Sequence, residues 1–242
     1  MPPDCPIVRT SGRRYGPPMP VDLSTLVADS AAEKDLREYF TEYGPLYSGR
    51  RFESLGGGGD RPPVRDIITA EDLVAVGMLK VRVPEEVAIG LLDGDLGRRI
   101  SDELQRIPCG PELGTPGAAE LVADGQPAEV AWKLLTAQHG VDYVIAGKLL
   151  ARKRPRLIPV YDQVVRCQLG WPEHFWLRLH DRLARDEEAL RRDLAALRAL
   201  AEVPPAVTVL RVLDVVLWMR HYRDHDYKDA RRCSGRGTVT FD

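Results

Sequence analysis

From residue 69 to residue 222 apolar side chains recur at intervals of three, four and seven, the period of helices with one buried face. Thr69-Ala70-Glu71-Asp72 reads as a capping box that opens a helix through Leu73, Val74, Val76, Met78 and Leu79. Pro84 opens a second helix, Glu85–Leu92, because proline suits a first turn. A third, Asp95–Ile107, carries Leu96, Ile100, Leu104 and Ile107 on one face. Ala118–Ala123 and Pro127–Gln138 follow, then a tight turn at His139–Tyr143 and a helix Val144–Lys153. After the Pro-bounded loop Arg154–Pro159 a helix runs from about Tyr161 to Leu169. Trp171–Leu200 reads as one long amphipathic stretch with Leu179, Leu183, Leu190, Leu194 and Leu197 on its core side. Pro204-Pro205 ends it, and Val207–Tyr222 is the most apolar helix.

Upstream, Ala31–Tyr43 has a helical edge of Leu36, Tyr39 and Phe40. The segment Gly44–Pro63 is broken by prolines and by the run Gly56–Gly59. A phosphate-binding loop would need a Lys-Ser/Thr pair at a helix start. Asp60-Arg61-Pro62-Pro63 stands there instead, so a plain flexible loop is predicted. Strand signals are confined to fragments such as Lys80–Val83 and Thr238–Phe241. The pattern predicts an all-α fold: an extended Pro-rich arm over 1–30, one helical domain over 31–223 and a polar, frayed tail over 224–242.

Composition narrows the classes. A hydrophobic fraction of 44 % in 242 residues is enough for a real core and excludes a wholly disordered chain. No apolar run reaches the roughly 18 residues of a membrane helix, and Met1–Pro20 lacks the apolar stretch of a signal peptide. A cytoplasmic location and no membrane partner are therefore expected. The cysteines at 5, 109, 167 and 233 are spread too widely for a zinc or iron–sulfur signature, and Cys167 reads as a small core residue. His221 and His225 are four apart, with Cys233 nearby, and could share a helix face as metal ligands. Their polar surroundings read first as a mobile charged tail. No metal and no cofactor are expected. Arg211 and Asp214, three apart on the most apolar helix, read as a partly buried ion pair.

The net charge of −2 gives no whole-chain signal for nucleic acid. The segment Val144–Gly170, however, holds six Lys or Arg against a single acid, Asp162, a local net of +5. A helix, a short Gly-containing turn and a second helix expose backbone N–H groups near Gly140, Val141 and Tyr143. Those donors suit a phosphate oxygen, and Lys148, Arg152 and Lys153 would add positive charge beside them. Asp162 should stand near a helix start, where the dipole favours negative charge. A carboxylate there could stabilise a cationic sugar centre or orient a water.

His139-Gly140-Val141 to Lys148, followed by Pro159-Val160-Tyr161-Asp162 and Val164-Val165-Arg166, resembles the helix-hairpin-helix DNA glycosylase superfamily. In that family a hairpin is followed by a Pro-containing segment and an essential Asp. Tyr161 is inserted before the Asp relative to the family pattern, and the hairpin-to-Asp distance is 162 − 140 = 22 residues. The whole chain is also similar to an uncharacterised actinobacterial protein family. The glycosylase resemblance implies DNA as partner and Asp162 as catalytic carboxylate; with it, the turn residues Gly140, Val141 and Tyr143 and the cations Lys148, Arg152 and Lys153 singled out above become the expected DNA contacts. Tyr161 reads either as core or rim packing or, in an enzyme that acts on a flipped base, as a ring that stacks on the extruded base. Two departures limit the match. The second hairpin glycine is Asp142, whose charge opposes a phosphate. The position of a β-lyase lysine is Val144, so no strand nicking is implied. The sequence leaves three readings: a monofunctional DNA glycosylase, a non-catalytic DNA- or protein-binding module on the same fold, or an interaction protein whose long Leu-bearing helix meets a partner. It sets no oligomeric state.

Overall fold

The computed structural model describes residues 20–43, 47–229 and 231–241. The first nineteen residues of the expected arm lie outside this set. The fold is all-α apart from two short strands. Residues 20–30, also assigned to the arm, are built instead into β1 (Val21–Asp22), α1 (Leu23–Ala28) and the start of α2 (Ser30–Phe40). Aspartates set these starts: Asp22 accepts from the Ser24 N–H at 2.8 Å and Asp29 from that of Ala31 at 2.9 Å. Leu23, Leu26 and Val27 then turn into the core.

The next group is α3 (Ala70–Gly77), α4 (Glu85–Leu92), α5 (Asp95–Gln105), α6 (Ala118–Val122), α7 (Pro127–Thr136) and α8 (Tyr143–Lys153). The capping box at Thr69 and Asp72 forms as the sequence predicts, with both reciprocal bonds present. Lys80–Val83 is not a strand. The second group is α9 (Gln163–Gln168), α10 (Phe175–Leu200) and α11 (Val209–His221), which pack with α1 and α2. Among the described residues no helix is long and apolar enough to cross a membrane.

α10 is not the single rod its periodicity predicts. Asp186, Glu187 and Glu188 take positive φ of 52°, 55° and 64° and break it in two. Its leucines at 179, 183, 190 and 194 are at most 2 % exposed, so the stripe offered for a partner is spent on the chain's own core. α11 sits centrally, against α2, α9 and α10, and Gln168 ties α9 to it through the Leu217 carbonyl.

The basic run at the end of α8 lies inside the protein. Arg152, Lys153 and Arg154 are 2 %, 0 % and 1 % exposed. Arg152 donates to Asp72 at 3.0 Å and to the carbonyls of Phe52, Glu53 and Leu55. Lys153 pairs with Asp72 and donates to the Gly59 and Val64 carbonyls. Arg154 donates to the carbonyls of Ile107 and Arg65 and to Asp66. These cations staple the segment 52–66 to α3, α5 and α8. The glycine run is therefore held rather than free. At Gly59 a Cβ would fall 2.5 Å from the Arg152 carbonyl oxygen, and only glycine permits that approach.

The tail also departs from expectation. His225, Cys233 and Val239 are buried, and β2 (Val239–Thr240) pairs in parallel with β1. The chain thus closes its C-terminal segment onto its N-terminal one.

Candidate functional site

Asp162 is carried into place by a buried strip, Leu157, Ile158 and Val160, and becomes the N-cap of α9. Its Oδ1 accepts from the N–H groups of Val164 and Val165 at 3.0 and 3.1 Å. One oxygen therefore does the capping. The other, Oδ2, lies 3.9 Å from Lys148 Nζ. The side chain keeps 17 % of its surface accessible.

Asp162 lines a cavity of about 590 Å³ between the two helical groups. α2 and the segment after it supply Tyr39, Tyr47 and Gly49; the turn after α3 supplies Met78–Val81. α8 adds Val144 and Lys148, α11 adds Arg211, Asp214 and Trp218, and Tyr222 and Tyr227 complete the wall. The volume suits a nucleobase-sized or somewhat larger ligand. Its aromatic lining is ordered: Trp218 stacks on Tyr222 at 4.0 Å and 7°, and Tyr39 on Tyr47 at 5.1 Å and 14°. Tyr47 and Tyr222 join their hydroxyls at 2.6 Å.

The charges are balanced in pairs. Arg211 pairs with Asp214, one helical turn away, and donates to the Tyr39 hydroxyl and the Gly49 carbonyl. This is the buried ion pair the spacing predicts. Burial pushes the Asp214 carboxyl above its ordinary range, with Arg211 opposing. Burial lowers the Lys148 ammonium, and Asp162 opposes that shift. Lys148 is 3 % exposed and donates to the Leu79 carbonyl at 2.9 Å.

The positions chosen from the sequence separate into those the cavity gathers and those it does not. Asp162 and Lys148 come together at one wall. Arg152 and Lys153, expected to meet DNA, are sealed in the interior by the contacts described above. Their burial is legible only in three dimensions, because a basic run before a Pro-bounded loop looks like solvated surface. Lys148 is likewise enclosed rather than offered to a backbone phosphate. Tyr161, expected to stack on an extruded base, is not among the cavity's lining. It stacks on Phe175 at 3.8 Å and 15° beside a second, smaller cavity of about 350 Å³. Its hydroxyl is buried there without a partner. Tyr143 lies on that second cavity too, with the Arg166 guanidinium 4.4 Å over its ring.

The turn 137–142 between α7 and α8 is tight. Gly140, at φ +79°, is exposed and packs close to Pro84. Val141 is buried. Asp142 caps α8, its Oδ1 accepting from the Val144 and Ile145 N–H groups at 3.0 and 2.9 Å. Of the amides expected to hold a phosphate, that of Val141 is bonded to the Gln138 carbonyl, and the next two at the start of α8, Val144 and Ile145, are taken by the Asp142 carboxylate. Unforeseen from sequence are Tyr47, Trp218, Tyr222 and Tyr227. The one available signal was the spacing of Trp218 and Tyr222, which puts two large rings on one face of α11.

The sequence pattern of a family of unknown function, DUF6308, matches residues 32–221. The matched span includes the Asp162 cavity except for Tyr222 and Tyr227. No curated protein and no solved structure matches the chain.

Proposed function

The chain belongs to the DUF6308 family, and on the geometry of its cavity we propose that it acts on DNA as a glycosylase of helix-hairpin-helix type, hydrolysing the N-glycosidic bond of a modified base without nicking the strand. The observation that carries this reading is the division of labour in Asp162. Oδ1 is fixed by two helix amides, Oδ2 lies 3.9 Å from Lys148 Nζ, and the residue lines an aromatic-walled cavity of about 590 Å³. A base turned out of the duplex would stack among Tyr39, Tyr47 and Trp218. As the bond from C1′ to the base nitrogen lengthens, positive charge grows on the sugar, and the carboxylate stabilises it. Water then adds at C1′, releasing the free base and leaving an abasic site. Lys148 acts as a positioning residue, holding Oδ2 and joining α8 to the turn after α3.

Phosphate contacts in this reading come from the rim rather than from the buried run. Lys80 is exposed and lines the cavity mouth. Arg82, next to lining residue Val81, and Arg51, two residues after Gly49, are exposed.

A second reading, a DNA- or protein-binding module without chemistry on the same fold, gains weight from one observation against the enzyme: Asp142 occupies the Val144 and Ile145 amides at the start of α8, so a hairpin grip on phosphate is lost there. Abasic-site formation on a panel of duplexes with damaged or modified bases separates the two. Turnover of at least one lesion, abolished in Asp162→Asn, is expected. Absence of turnover across the panel, or full turnover by Asp162→Asn, overturns the enzymatic reading. Salt-sensitive binding indifferent to Asp162→Asn would then leave the module.

A further inference from the structure

Outside the Asp162 cavity, four side chains from three places in the sequence meet at the far end of α9 and α11: Cys167, His221, His225 and Cys233. Each offers one ligating atom, and these atoms lie within 4.8 Å of one another. His221 Nε2 is 2.9 Å from Cys233 Sγ, and His225 Nδ1 is 3.4 Å from the same sulfur. All four residues are buried, Cys167 fully and the others at 6 % exposure.

Their number and kind point to one class of ligand. Tetrahedral zinc with Zn–S of about 2.3 Å and Zn–N of about 2.0 Å places its ligand atoms roughly 3.3–3.8 Å apart, and the observed separations bracket that range. Two thiolates and two neutral imidazoles around Zn²⁺ sum to zero charge, which removes most of the cost of burying the ion. Four protein ligands with no carboxylate form a closed, structural set rather than a catalytic one.

The packing of the tail supports the same conclusion. Among described residues 224–241 only His225, Cys233, Gly235 and Val239 are buried. One valine and one glycine bury little apolar surface, and the other ties of the segment, β2 on β1, the Gly237 N–H on the Cys167 carbonyl and half-buried Phe241, lie after Cys233 and leave 224–233 to the cluster. Two of the four inward-facing residues are the ligands themselves. Gly235 lets the tail backbone rest on His221, since a Cβ there would fall 2.2 Å from the ring.

We propose that Cys167, His221, His225 and Cys233 bind one structural Zn²⁺ ion that fastens the C-terminal segment to α9 and α11. Binding releases the two thiol protons and leaves both sulfurs as thiolates. The ion also fixes part of the main cavity, because Tyr227, within the fastened segment, lines it and packs edge-on to His225 at 4.7 Å. The site stands independently of any chemistry at Asp162.

The test uses the full chain, expressed in zinc-supplemented medium and analysed by elemental mass spectrometry. One equivalent of zinc per chain is expected, with Cys233→Ser and His225→Ala each losing it and Cys109→Ser retaining it. Replacing zinc with Co²⁺ alone should give the intense visible bands of a tetrahedral site and a thiolate charge-transfer band. Stripping with a chelator should expose the segment after Arg223 to trypsin, and added Zn²⁺ should restore protection. A wild-type chain that carries no zinc and gives no tetrahedral Co²⁺ spectrum overturns the proposal, as does recovery of a Cys167–Cys233 disulfide in its place. Full zinc content in both Cys233→Ser and His225→Ala overturns it equally.

Discussion

Lys148 Nζ lies 3.9 Å from Asp162 Oδ2 and donates to the Leu79 carbonyl at 2.9 Å. A lysine whose spacing suggests a phosphate contact is instead enclosed, and its charge is directed at the one acid of its segment. Lys148→Met should leave that carbonyl without its donor, at a cost of about 1–3 kcal/mol in urea unfolding. It should also slow base release while leaving the salt dependence of DNA binding unchanged. A shallower salt slope in Lys148→Met would return the residue to the DNA surface.

Asp162 caps α9 and, in the proposed function, also carries the chemistry; two substitutions separate these jobs. Asp162→Asn keeps an acceptor for the Val164 and Val165 amides, whereas Asp162→Ala removes the cap and should cost about 1 kcal/mol of stability. Both should lower excision by roughly a hundredfold or more, since both remove the charge. Equal stability with unequal excision would contradict the assignment. Denaturant melts beside single-turnover assays provide the comparison.

The interior cations should behave as structural elements. Arg152→Met leaves Asp72 and three carbonyls short of donors and should destabilise by about 3–5 kcal/mol, the range for breaking a buried pair. Lys80→Ala, at the exposed rim, should leave the melting temperature near wild type and reduce the salt slope of DNA binding by about one. The opposite pattern, a stable Arg152→Met with a reduced slope, would show that the run is accessible after all.

Glu53 supplies a pH test. Its carboxyl accepts from the Thr208 hydroxyl at 2.9 Å, and burial pushes its pKa up to about 7 from 4.5. A raised carboxyl pKa means that the folded state holds the proton more tightly than the unfolded chain. Stability therefore falls as pH rises from about 4.5 to about 7, and the penalty is complete above that. Glu53→Gln should remove this component. Melting curves of the two proteins should converge at acidic pH and separate in the variant's favour above neutrality; a constant difference across the range would rule the cause out.

Much of the architecture is legible in the sequence because helix starts and faces are local. Thr69 and Asp72 cap α3, Asp162 caps α9, and Leu36, Ile100, Leu135 and Leu194 face inward at their periodic positions. The Arg211–Asp214 pair is visible for the same reason. What could not be read is long-range pairing. Arg152 finds carbonyls about a hundred residues away, so its burial leaves no local trace. Tyr39 and Trp218, 179 residues apart in sequence, meet edge to face at 6.0 Å only because α2 packs on α11. Tyr161 stands next to Asp162 in the chain, yet it turns toward Phe175 because neighbouring residues at a helix start point to different sides. The tail reads as mobile because its composition is polar, while its contacts are long-range: β2 pairs with β1, and His225 and Cys233 meet Cys167 and His221.

The central claim, that the Asp162 carboxylate faces a developing sugar cation, can be tested without knowing the base removed. Duplexes carrying either a cationic pyrrolidine in place of one sugar or a neutral tetrahydrofuran of similar shape differ chiefly in charge at that centre. Wild-type protein should bind the cationic duplex at least tenfold more tightly, and Asp162→Asn should bind the two alike. Equal affinity of the wild type for both duplexes, or a preference for the cation that survives in Asp162→Asn, would contradict the account.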